Sequence, residues 1–156
     1  MTSAEPWQGG LQGLGHAEQL LVWSWRRVAT GHAYCSLTRD GFAATCGEDG
    51  PEVFVTFCTF LQALAVASRR QFLIGAPGLA VLTADERQVL TLLAAAQADD
   101  PALLEAHLCW LAIPEKRPVL EIATVALARA LCFSALNLVL PARPVPAGGE
   151  KLRAVA

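Results

Sequence analysis

The residues with the most chemical potential cluster around one irregular stretch of the chain. His32, Cys35, Cys46 and Cys58 offer an imidazole and three thiols, a ligand set suited to tetrahedral zinc. The intervening gaps are two, ten and eleven residues, with no Cys-x-x-Cys pair, so a site would have to be assembled by the fold. In that case metal binding would order the loop from Gly31 to Gly50. The competing expectation is of reduced, unliganded thiols, with Cys58 as a small packed side chain. His107 and Cys109 stand two apart on a predicted helix, about 200° from one another around its axis, and cannot share a ligand site unaided. His107 lies on a stripe with Leu104, Leu108 and Leu111, which makes it the candidate axial ligand if the core held a haem.

Catalytic constellations are not evident. No nucleophile stands beside a base, no two carboxylates pair on one face, and Gly75-Ala76-Pro77-Gly78 has no following lysine, so it reads as a turn rather than a phosphate loop. The sequence therefore leans away from an enzyme. Glu121 and Arg129 are the most unusual charges, because both occur on an otherwise apolar segment; burial would require partners, and an ion pair is the expected arrangement.

The elements that would position these groups are helical. A first helix is expected over about 16–30, ended by Gly31, with Leu21, Trp25 and Val28 inward. Trp23 then points away from Trp25, with Arg26 and Arg27 a turn beyond; these three are the candidate interaction residues, unless the arginine stems simply cover the indole. Residues 31–50 read as a loop containing one short helix near 37–45. Pro51 and Glu52 suit the first turn of a helix running to about Arg70, with Phe54, Phe57, Cys58, Leu61, Leu64 and Ala65 on one stripe. The opposite side of that helix is scarcely polar. Phe72-Leu73-Ile74 allows at most one short extended segment.

Thr83-Ala84-Asp85-Glu86 has capping-box spacing and predicts a helix over about 84–98. Asp100 and Pro101 open the next, forming a tight hairpin. The stretch Leu82-Thr83-Ala84-Asp85-Glu86-Arg87-Gln88-Val89-Leu90-Thr91-Leu92-Leu93 resembles the opening helix of the helix-turn-helix output domain of bacterial response regulators. The likeness covers about a dozen residues. It implies a DNA-reading helix downstream, which needs basic and amide side chains, yet no Lys or Arg occurs between Gln88 and Glu115. The last helix is expected from Pro118 to about Leu138, apolar nearly all round. Arg129 at its centre and Glu121 in its first turn argue against a membrane span and for a central bundle helix or a subunit interface.

Bulk properties agree with this outline. The 156 residues are 54% apolar and 17% charged, a high and a low share for a globular chain. Net charge is −2, so no positive field gathers nucleic acid. Five unevenly spaced cysteines do not form a disulfide framework, and Met1–Pro6 has no secretory pattern, both of which predict a cytoplasmic protein. The expected fold is an all-α, single-domain bundle of about five helices with a central apolar C-terminal helix. Residues 1–14 are expected to be a flexible segment, 15–140 the helical domain, and 141–156 a Pro/Gly-containing flexible tail. Surplus apolar surface on the helices near Phe57 and Leu127 predicts a homo-oligomer or a protein partner, and a regulatory or accessory role. A metal- or haem-binding helical protein is the alternative.

Overall fold

A computed structural model of the chain describes residues 10–32 and 35–140. It is all-α, as the sequence predicts, with α1 (His16–Ala29), α2 (Ser36–Cys46), α3 (Gly50–Ala67), α4 (Ala84–Gln97), α5 (Pro101–Leu111) and α6 (Arg117–Phe133) among the described residues. The expectations for 1–9 and 141–156 lie outside the described residues. Gly10–Gly13 form a 3-10 turn, the Leu11 N–H donates to the Ala80 carbonyl, and Leu14 is buried.

α3 and α6 run antiparallel at the centre. Near the end of α3, the Ile113 N–H donates to the Ala67 carbonyl and the Arg69 N–H to that of Leu111. At the other end, a groove is lined by Asp49 and Glu52 on one side and by Arg129 and Phe133 on the other. α2 flanks α3, while α4 packs on α5 and α6. The core between these layers includes Phe42, Phe57, Phe60, Leu92, Leu120, Leu127 and Leu131, all essentially inaccessible. Phe42 meets Phe54 and Phe57 with ring centroids 5.4 and 5.3 Å apart, in the tilted arrangements aromatic rings favour.

Local signals explain most boundaries. Thr83 caps α4 by accepting from the Glu86 N–H, and Glu86 returns a bond to the Thr83 N–H. Asp100 caps α5 by accepting from Leu103. α2 is longer than the short helix expected in a loop; it accommodates Gly41 because the Trp23 ring lies where a side chain would project, 2.8 Å from an added Cβ. α6 stops at Phe133, short of the expected Leu138, where Ala135 adopts a left-handed conformation. The window 36–67 is apolar enough to cross a membrane by composition, yet it spans α2 and α3, which are separated by a turn at Gly47–Asp49 and pack on one another.

The buried charges are not those expected from composition. Glu121 and Arg129 are both exposed, because α6 turns them away from Leu120, Leu127 and Leu131. The interior pair is Arg26 with Glu86, joined at 2.8 and 2.9 Å. Arg26 also donates to the carbonyls of Leu79 and Val81, and Glu86 accepts from the Gly75 N–H. One ion pair thus fixes α1, α4 and the segment 75–81. A Cβ at Gly75 would come within 2.6 Å of the guanidinium, so this close approach requires glycine.

Candidate interaction face

α6 buries Leu120, Ala123, Thr124, Leu127, Ala128 and Leu131, a stripe of 3.6-residue period. Its other side presents Val119, Ile122, Ala126, Arg129 and Phe133, spaced alternately three and four apart. Ile122 is 72% exposed and Phe133 86%. These are the residue types and spacing by which one helix packs against another. α3 carries a comparable outward row of Val55, Thr59, Gln62 and Val66, with Val55 and Val66 more than half exposed. The groove between the helices, about 450 Å³, brings Glu52, three residues before Val55 on the α3 row, and Thr56 beside Ala126 and Phe133 of the α6 row. Part of the exposed apolar surface thus lies on these two helices, and other large apolar side chains, Trp110 and Leu73 among them, are exposed elsewhere. Phe57 and Leu127 themselves belong to the chain's own core.

This face is electrically divided. Arg69, Arg70, Lys116 and Arg117 gather at the end where α3 finishes and α6 begins, with Glu115 among them. Arg70 is held by a bidentate pair with buried Asp85. At the far end stand the exposed carboxylates of Glu48, Asp49 and Glu52, with Arg129 opposite.

The three candidate interaction residues separate in the structure. Arg26 is buried in the ion pair with Glu86 and belongs to the interior, so it cannot take part in a surface contact. Arg27 lies 5.2 Å above the Trp23 ring, the cation–π contact that covers an exposed indole. Trp23 also lines a cavity of about 440 Å³ with Leu20, Gly41 and Pro77.

The four residues weighed as zinc ligands are not brought together. Among the described residues no three His, Cys, Asp or Glu side chains converge on a metal-sized site. The reason is geometric: Cys35 precedes α2 and Cys46 ends it, so the two residues are about 16 Å apart along one helix axis. Cys58 is half-buried on α3. His107 is half-buried with its Nδ1 2.9 Å from Gln88 Oε1, a contact between α5 and α4. Burial lowers its pKa from the ordinary histidine value.

Sequence spacing did not reveal the environment of Cys35. It is the N-cap residue of α2, and the Arg27 guanidinium donates to its Sγ at 3.3 Å. The backbone N–H of Leu37 and the Arg27 side chain hold the thiol pKa below its ordinary value. Arg27 eight residues upstream was the only available signal. Burial pushes the Cys46 and Cys58 thiols in the opposite direction.

No protein-family model matches this chain, and comparison with curated proteins and with solved structures finds no match either.

Proposed function

We propose that this protein acts by binding another polypeptide through the outer face of α3 and α6, in a regulatory or accessory capacity. The observation that carries this reading is the row Val119, Ile122, Ala126 and Phe133, apolar and open to solvent along a helix whose opposite side is already core. Large apolar side chains exposed in a row, here interrupted by Arg129, rather than singly, are the mark of a contact surface. All five cysteines are free, which fits work in a reducing compartment such as the cytoplasm.

Photo-cross-linking tests the face directly. A photoreactive amino acid replacing Ile122 should give polypeptide adducts in the native cell, whereas the same group at exposed Arg87 on α4 should give none. Equal labelling from both positions, or none from either, would remove the face from consideration.

A further inference from the structure

We infer that the occupant of the α3–α6 face is a second copy of this chain, related by a twofold axis that sets the paired helices antiparallel. The inference rests on the interaction reading above and adds the identity and orientation of the partner. Charge selects both. The cations Arg69, Lys116 and Arg117, with Glu115 among them, lie at one end of the face, and the carboxylates Glu48, Asp49 and Glu52, with Arg129 opposite, at the other, so one end is net positive and the other net negative. A surface bearing opposite charge at its two ends is complementary to itself when turned end for end. The parallel alternative would oppose like charges at both ends and is disfavoured for that reason.

Size and shape agree. With 18 and 17 residues, α3 and α6 each extend about 26 Å at 1.5 Å per residue. Neighbouring axes about 8–10 Å apart then give a face of roughly 26 by 20 Å, of the same order as the ~800 Å² per partner of a stable interface once side-chain relief is included. A twofold axis between α3 and α6 lays the start of α6, with Lys116 and Arg117, over the acidic start of α3 in the other copy.

Two charge-reversed variants of the full chain test this. Arg69→Glu with Lys116→Glu makes both ends acidic, and Glu48→Lys with Glu52→Lys makes both ends basic; all four residues are exposed, so neither change disturbs the core. By sedimentation, wild type should dimerise, and its association should weaken about tenfold between low and high salt as the end charges are screened. Each variant alone should associate about tenfold more weakly than wild type, and an equimolar mixture should recover a heterodimer. Association that strengthens with salt would contradict the antiparallel arrangement, and a mixture no tighter than its components would contradict charge pairing of two copies. Wild type that stays monomeric while Ile122 cross-links a polypeptide of different mass would overturn the second copy yet leave the interaction reading standing. Monomeric wild type without adducts from position 122 would end both.

Discussion

Arg26 and Glu86, sixty residues apart in the chain, meet in the interior through two parallel hydrogen bonds of 2.8 and 2.9 Å. Glu86 is also the capping-box glutamate of α4, so one carboxylate begins a helix and closes the contact between α1 and the segment before α4. Both side chains are essentially inaccessible. Removing either partner leaves the other charge buried and unpaired, which costs about 3–5 kcal/mol. Arg26→Met and Glu86→Gln should each destabilise the chain by about that amount in chemical denaturation, and the double variant by clearly less than the sum. Additive losses would mean that the two side chains act independently.

The same pair sets an acid limit to stability. Burial raises the Glu86 pKa, but the Arg26 guanidinium and the N–H groups of Thr83 and Gly75 outweigh it and hold the carboxyl below its ordinary value. Asp85 is likewise lowered, first by Arg70, against the effect of its own burial. A depressed carboxylate contributes stability that is present above the unfolded pKa of about 4 and is lost as pH falls through the folded value. The denaturation midpoint should therefore hold steady from neutral pH to about 5 and fall below about 4. In Glu86→Gln that acid-side fall should be shallower; an unchanged slope would separate Glu86 from the acid transition.

How legible this was differed from element to element. The α4 start was plain in Thr83 and Glu86 because a capping box is local, four residues long and independent of what packs above it. Pro51 and Asp100 marked α3 and α5 in the same way. The ion pair was hidden, since Glu86 already had a sufficient local role and nothing in a sequence ties it to Arg26. Glu121 and Arg129 drew attention because α6 is apolar on average, and an average discards direction: both fall on the outward side of the helix. The apolar row itself was visible as a helix with too little polar surface. Its division into an inner face of Leu120, Leu127 and Leu131 and an outer face of Val119, Ile122 and Phe133 required the neighbours.

Thr83 does more than its cap. Its hydroxyl accepts from the Glu86 N–H and donates to the Leu73 carbonyl at 2.7 Å, tying the extended 71–76 segment to the helix start. Thr83→Ala should lose about 1–2 kcal/mol, and Thr83→Ser, which keeps the hydroxyl, should lose much less. Equal losses would assign the effect to the methyl group rather than to the two hydrogen bonds.

The thiols should divide by environment. Cys35, with Arg27 at its sulfur, should alkylate fastest near neutral pH, and Arg27→Met should slow it. Cys46 and Cys58 should react slowly because burial raises their pKa. Cys132 is exposed on α6 beside the α4–α5 turn and should be accessible. Cys35 reacting no faster than Cys46 would show that the guanidinium does not activate it.

The most direct measurement of the central claim is the solution mass of the full chain beside Ile122→Asp, which places a charge in the middle of the outer row without touching the core. By sedimentation equilibrium at micromolar concentration, wild type should have twice the 16.6 kDa of one chain, and Ile122→Asp should have 16.6 kDa with its helicity and thermal midpoint retained. A wild-type chain of 16.6 kDa, or a variant that remains dimeric, would contradict the assignment of the α3–α6 face as the self-contact surface.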